Sequence, residues 1–166
     1  MQLVRSSRPR LASFCSPFSS ASAEGTARLL RVGHVLRESR RFSESDVVRY
    51  SEVSGDRNPV HLDDAFARTV AGFDGGRVVH GMLVASLFPS VISSHFPGAV
   101  YVSQTLTFKL PVYVGDEVLA EMQVTYLRQY KNKYMVKFTT KCFTNEDSLV
   151  VEGEATTIIS TLTSSK

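Results

Sequence analysis

Val78-Val79-His80-Gly81-Met82-Leu83-Val84-Ala85-Ser86-Leu87-Phe88-Pro89-Ser90-Val91-Ile92 is the stretch that decides the fold. Drawn as a helix, it is apolar on nearly every face, which predicts a helix surrounded by protein. Pro89 removes one backbone hydrogen bond and predicts a bend near Ala85. Gly72-Phe73-Asp74-Gly75-Gly76 before it reads as a loop, and Phe96-Pro97-Gly98 closes it. Ser86, Pro89 and Ser90 interrupt the apolar run, and no run in the chain approaches the roughly 20 residues of a membrane-spanning helix.

Downstream of this helix the hydrophobic period changes from helical to two. Val102, Gln104, Leu106 and Phe108 alternate with Ser103, Thr105, Thr107 and Lys109. The same alternation runs through Val118–Tyr126, Tyr134–Cys142 and Leu149–Ile159. These segments predict antiparallel strands with one buried and one wetter face, turned at Lys131-Asn132-Lys133 and Asn145-Glu146-Asp147. A helix apolar all round, followed by long strands, predicts an α+β architecture in which the sheet wraps the helix. Upstream, residues 33–42 read as an edge strand. Ser43 caps a short helix with Glu44 and Asp46 in its first turn, ending near Ser54, and Asp63 or Asp64 starts another through Ala67.

The 166 residues suffice for one domain, and 43% apolar with 21% charged residues is ordinary for a globular chain. The net charge of +3 has a local origin. Residues 1–23 contain Arg5, Arg8 and Arg10 with no acidic residue, whereas residues 24–166 hold 16 basic and 16 acidic residues. The folded part therefore predicts no basic stripe with interleaved aromatics and no nucleic-acid partner. The Arg- and Ser-rich, acid-free start has the composition of a mitochondrial transit peptide, expected over residues 1–30 with residues 31–166 forming the folded domain. Cys15 falls in that leader, which leaves Cys142 as a small buried hydrophobe. Nothing in the sequence has the pattern of a metal-ligand cluster or a cofactor-binding glycine fingerprint, so no metal and no cofactor are expected.

The chemistry is concentrated in Val53-Ser54-Gly55-Asp56-Arg57-Asn58-Pro59-Val60-His61. Gly55 permits unusual backbone angles, Asp56 and Asn58 favour Asx turns, and Pro59 holds Asn58 out of the helical region. Such a turn can bring the Asp56 carboxylate and the His61 imidazole together around one water or one substrate hydroxyl. Histidine titrates near neutral pH, and a carboxylate beside it can orient the ring or share proton work.

Tyr50, Val53-Ser54-Gly55-Asp56, Asn58-Pro59-Val60-His61, Phe66-Ala67 and Val79-His80-Gly81-Met82-Leu83 resemble the R-specific enoyl-CoA hydratase (MaoC-like) family. Gln104-Thr105-Leu106-Thr107-Phe108-Lys109-Leu110-Pro111-Val112 and Gly115-Asp116-Glu117-Val118 extend the likeness over about residues 33–160. The resemblance implies a hotdog fold, a homodimer and reversible hydration of trans-2-enoyl thioesters to (3R)-3-hydroxyacyl thioesters. It places the catalytic pair on Asp56 and His61, an oxyanion-stabilising N–H on Gly81, and loop support on Asn58. With the leader, it implies an acyl thioester of acyl carrier protein or CoA as substrate, handled in mitochondrial fatty acid synthesis within the matrix. Pro89 departs from the pattern, standing where some relatives carry a small polar residue.

The residue types suit that chemistry. Loss of an α-proton from a thioester builds charge on the carbonyl oxygen, and a positioned N–H there contributes about 3–4 kcal/mol. Gly81 at a helix start has an N–H without an intrahelical partner, gains from the helix dipole, and lacks a Cβ that would hinder a substrate. Arg57 and Arg77 are candidates to meet a carrier phosphate. His80 reads as a residue that orients the loop, His34 and His95 as surface or turn residues, and Ser86 as a packing residue bonded back to a carbonyl. Two alternatives share the fold: an acyl-thioesterase, and an inactive acyl-carrier-binding scaffold. Hotdog thioesterases use an acidic residue on or beside the central helix, and residues 82–94 contain no Asp or Glu.

Overall fold

The computed structural model describes residues 29–144 and 148–166; the expected leader, and the turn at Asn145-Glu146-Asp147, lie outside them. The chain runs through β1 (Val35–Arg41), α1 (Glu44–Ser54), α2 (Pro59–Leu62), α3 (Asp64–Thr69), α4 (Gly81–Ala85), α5 (Leu87–His95), β2 (Val100–Gln104), β3 (Thr107–Phe108), β4 (Glu117–Tyr130), β5 (Lys133–Thr144) and β6 (Ser148–Ile159). The strands form one antiparallel sheet in the order β1-β4-β5-β6-β2, with β3 also on β6. Helix α5 packs against β4 and β1, and α4 packs against α5. This is the hotdog arrangement that the resemblance implies.

Local chemistry explains each boundary. Ser43 and Asp46 form a reciprocal capping box at the start of α1, and Gly55 ends it at φ 77°, a left-handed angle that suits glycine. Asn58 caps α2 with Pro59 at its first position, and Asp63 caps α3. Inward positions of β4 and β5 alternate as predicted: Val118, Ala120, Met122, Val136, Phe138, Thr140 and Cys142 are all fully buried. They close on Phe88, Val91 and Ile92 of α5. Burial pushes the Cys142 thiol up to about 12, consistent with an inert packing residue.

The central helix begins at Gly81, the helix start expected of that residue; before it, Val78 forms a β-bridge with Tyr113 and Val79 N–H donates to the Val112 carbonyl. It is interrupted at Ser86 between α4 and α5, where a bend was expected. Pro89 has no N–H to offer the Ala85 carbonyl, so the ladder breaks within that turn. It is also not enclosed on every side. Met82, Ser86, Pro89, Ser90 and Ser93 recur at helical spacing and are exposed, so the protomer leaves one stripe of the helix uncovered. The Ser86 hydroxyl donates to the Leu83 carbonyl, as expected.

The run predicted as a strand over residues 102–109 is divided between β2 and β3, and its apolar side is not buried. Val102 is 53% and Phe108 50% exposed, since this run lies at the edge of the sheet with no strand beyond it. Where the two strands part, the Gln104 amide donates to the Thr105 carbonyl (2.6 Å) and the Thr140 hydroxyl (3.1 Å). The Thr105 carbonyl oxygen sits only 1.8 Å from where a Cβ on Gly153 would stand.

Charge is also less evenly spread than the linear count suggests. Pairing of Tyr126 with Lys137, Arg128 with Met135 and Tyr130 with Lys133 puts these residues on one outer face of the sheet. Lys137 lies over the Tyr126 ring and Lys131 over the Tyr130 ring. A basic, aromatic cluster therefore does exist, created by cross-strand register. No described helix is long and apolar enough to cross a membrane.

Replacing Gly153 by Ala forces its methyl against the Thr105 backbone. The expected cost is about 2–3 kcal/mol in denaturant-unfolding free energy, near the upper end for overpacking. A change below about 0.5 kcal/mol, the range of ordinary surface substitutions, would show that the close approach at Thr105 is not a constraint on the fold.

Candidate active site

Three chain segments converge on one cavity of about 680 Å3: the loop and helix around Asp56 and His61, the entry to α4 at Val78–Gly81, and the wall Phe108–Val112. Backbone hydrogen bonds hold them in register. Val78 N–H donates to the Val60 carbonyl, Val79 N–H to the Val112 carbonyl, and Val114 N–H to the Arg77 carbonyl.

The turn chemistry read from residues 54–61 is present in detail. Asp56 N–H donates to the Ser54 hydroxyl, the Asp56 carboxylate accepts from Asn58 N–H, and the Asn58 side chain accepts from Val60 N–H. This delivers His61 to the cavity wall, where its Nε2 lies 3.8 Å from an Asp56 carboxylate oxygen. That gap exceeds a direct hydrogen bond, yet two atoms so spaced can each sit about 2.8 Å from one shared oxygen. His61 Nδ1 is 2.8 Å from the Val78 carbonyl oxygen. A carbonyl only accepts, so Nδ1 carries a proton, and Nε2 is the ring nitrogen that faces Asp56.

His80 underlies this pair. It is 2% exposed, stacks on His61 with ring centroids 3.7 Å apart and planes 25° apart, and meets Tyr50 at 4.9 Å. Its Nε2 is 3.1 Å from the Asp56 carbonyl oxygen and by the same logic donates to it. Its Nδ1 is buried without a hydrogen-bond partner. Burial holds the His80 pKa below the usual histidine value, with the neighbouring His61 acting in the same direction and the Asp56 hydrogen bond and charge opposing.

Asp56, His61 and His80 offer ligand-type atoms within 4.8 Å of one another. Nearly parallel stacked rings, however, keep their in-plane lone pairs from converging on one ion, and His80 Nε2 is engaged with a backbone carbonyl. The geometry suits hydrogen bonding to an oxygen better than metal ligation.

Gly81 lines the same cavity, so the three residues expected to carry the chemistry come together. Two details differ from expectation. Helix α4 has only five residues, so its dipole is small and the N–H itself is what remains. The space a Cβ would fill is not open to a substrate: the Phe108 ring stands there, 2.7 Å from an ideal Cβ. Arg57 and Arg77 are not among the lining residues, and Arg77 instead pairs with Glu44 at 3.0 Å. Tyr50 and Phe108, both within the stretches quoted for the family resemblance, are the functional-site residues whose placement had no separate signal in the sequence.

The buried His80 sets an acid limit. A ring held neutral in the fold and protonated more readily in the unfolded chain stabilises the protein above its ordinary value of 6.5; that contribution is lost as pH falls through the lowered folded value. Replacing His80 by Phe keeps a ring against His61 but removes the proton and the bond to Asp56. The variant should melt at lower temperature at pH 7.5, and its melting temperature should fall less than the wild type's between pH 7 and 5. Parallel curves would show that His80 does not contribute to the acid dependence.

Residues 31–146 match the family model described as MaoC like domain. The chain is 58% identical over 144 residues to the mitochondrial 3-hydroxyacyl-[acyl-carrier-protein] dehydratase of Arabidopsis thaliana, covering 86% of each. It is 47% identical over 132 residues to the (R)-specific enoyl-CoA hydratase of Aeromonas caviae, covering 78% of this chain and 96% of that one. Its fold superposes on the solved (R)-hydratase from A. caviae involved in PHA biosynthesis with a TM-score of 0.72 at 45% identity, over 77% of this chain and 96% of the other. With a family model matched over most of the chain and relatives this similar along most of their length, the chain belongs to the MaoC-like dehydratase family.

Proposed function

We propose that the protein is a hydro-lyase that interconverts (3R)-3-hydroxyacyl thioesters and trans-2-enoyl thioesters, with Asp56 and His61 as proton carriers and Gly81 N–H as the donor to the thioester oxygen. The observation that carries this reading is that the 3.8 Å Asp56–His61 pair and Gly81 line the same cavity. In the hydration direction, a water held between Asp56 and His61 gives up a proton to the pair as its oxygen attacks the β-carbon. The electron pair of the C=C bond moves onto the thioester oxygen, where Gly81 N–H stabilises it. The proton taken from water then goes to the α-carbon, and the pair ends as it began. Dehydration is the reverse. The Val78 carbonyl keeps Nε2 of His61 turned to the reacting side throughout.

The relatives named as mitochondrial dehydratases of acyl carrier protein thioesters support a carrier-linked substrate and a place in the mitochondrial matrix for this chain. The leader composition points the same way. A homodimer is supported by the free edge at β2, where Val100 and Val102 are exposed, and by exposed Met82, Phe108 and Leu110 around the cavity. Pairing of two copies across this edge covers apolar surface that the protomer leaves in water.

Replacing Asp56 by Asn, or His61 by Gln, should lower the rate of crotonyl-thioester hydration by about 10²–10⁴-fold, with CoA and with the acyl carrier protein as carrier, while the circular dichroism spectrum is retained. Wild-type and Asp56→Asn protein hydrating at equal rates would end the assignment. Fast release of free thiol from acyl-CoA without hydration would place the protein among thioesterases instead. Sedimentation of the wild type should give a species of twice the chain mass, and a monomer at enzymatically active concentration would remove the dimer.

A further inference from the structure

The fold gathers charge that the sequence as a whole balances. Residues 122–145 contain Arg128, Lys131, Lys133, Lys137 and Lys141 and no acidic residue. Residues 29–34, which bond to Val124 and Leu162, contain none, nor do residues 155–165. Moving back along β5 from the turn at Lys131-Asn132, the first carboxylate met on β6 is Glu154, opposite Thr139. Among the described residues, Arg128, Lys131, Lys133 and Lys137 take part in no ion pair; every such pair lies elsewhere.

This end of the β4–β5 hairpin also stands clear of its neighbours. β1 pairs with β4 only as far as Gln123, so Tyr126–Tyr130 has a partner strand on one side alone. The four cations are exposed, and Tyr126 and Tyr130 are 41% and 55% exposed. Lys137 lies 5.8 Å from the Tyr126 ring centroid and Lys131 5.7 Å from that of Tyr130. The two-residue turn between Tyr130 and Lys133 holds Lys131 at φ 56°, the only positive φ of a non-glycine residue among the described residues. Asn or Gly takes that angle at less cost and is favoured in such turns. A lysine held there against its backbone preference points to a role for its charge.

Four unpaired cations on one exposed tip fit an anionic surface, and the residue types select which kind. Interfaces between proteins are depleted in lysine, and three of these cations are lysines. Single-stranded nucleic acid is held by bases stacked on open aromatic faces, whereas each exposed ring here has a lysine over it. A bilayer presents many mobile phosphates and demands no fixed fork geometry. Ammonium groups on flexible stems suit it, as do tyrosine rings, which settle at the headgroup level.

We propose that the tip of the β4–β5 hairpin is a docking surface for a bilayer rich in anionic phospholipid, formed by Tyr126, Arg128, Tyr130, Lys131, Lys133 and Lys137. Val151 of β6 lines the cavity, and Ile159 at the far end of the same strand pairs with Tyr134 beside the tip. At about 3.3 Å per residue, tip and cavity are roughly 25 Å apart along the strand. The inference therefore stands apart from the hydratase reading.

The test is co-sedimentation of the full chain with phosphatidylcholine vesicles, with and without phosphatidylglycerol, each variant being checked for fold by circular dichroism and melting. The wild type should bind the anionic vesicles and not the neutral ones. Raising salt from about 0.1 to 1 M, which shortens the screening length from about 10 to 3 Å, should release it. A cation near such a surface is worth about fivefold in partitioning, so K131E/K133E should weaken binding by about 20-fold or more. R49E/R57E makes the same change in net charge on α1 and the loop after it, and should weaken binding by no more than about twofold, through long-range charge alone. K131N keeps a residue suited to the turn and removes one charge, and should bind about fivefold more weakly. Equal binding by the wild type and K131E/K133E assigns attachment to another part of the chain, the Arg-rich start included, and overturns the proposal. Equal binding to neutral vesicles overturns it as well, as does capture of a single-stranded oligonucleotide by the tip without any vesicle binding.

Discussion

The Val78 backbone is the constraint on which the site depends. Its N–H donates to the Val60 carbonyl, its carbonyl accepts from His61 Nδ1, and it bridges to Tyr113. One residue thus fixes the segment bearing the imidazole, the tautomer of that imidazole, and the starting point of α4 three residues later. Hydrogen bonds of this kind are modest in net stability, about 1 kcal/mol each. Their value here is positional. A loop carrying Asp56 and His61 without them would sample many ring orientations, and a proton carrier is effective only within hydrogen-bond reach of its substrate.

The stack of Tyr50, His80 and His61 adds a second restraint from beneath. A buried imidazole bonded to the Asp56 carbonyl holds the loop from one side while its face supports the His61 ring. The orphaned Nδ1 of His80 is a cost the fold carries to keep that ring in place, since an unpaired buried polar atom is unfavourable by about 1–3 kcal/mol. Such local violations of good packing practice are expected where function, rather than stability, has set the residue.

Much of this was legible in the sequence because it depends on short-range chemistry. The Gly55–His61 turn, its Asx bonds and its caps involve neighbours within a few positions, where residue type nearly dictates conformation. The long strands were legible for the same reason, as a period of two reports a half-buried face. What escaped depends on pieces distant in the chain. The division of residues 102–109 into β2 and β3 reflects the Thr105 backbone pressing on Gly153, about 50 positions on. The basic, aromatic face of β4 and β5 follows from a bulge between Val124 and Tyr126 that turns Tyr126 outward, which no count of charges detects. The open stripe on α4 and α5 could not be read from an all-apolar run, because Met82 and Pro89 look like core residues until the surrounding elements are placed. Phe108 over Gly81 is a contact between residues 27 positions apart, and neither neighbourhood announces it.

The two borders of the sheet are unlike each other. At β1 the outermost strand is armed with Arg37, Arg40 and Arg41, each tied into an ion pair with Glu121, Asp46 or Glu117. At β2 the border is short and carries Val100 and Val102. Guanidinium groups along a rim make it a poor template for another strand, whereas valines invite one. A ribbon with one guarded rim and one receptive rim can be lengthened in a single direction. Joining through the receptive side would consume it on both molecules and turn the guarded sides outward, so such association would stop at a pair rather than propagate into a fibre.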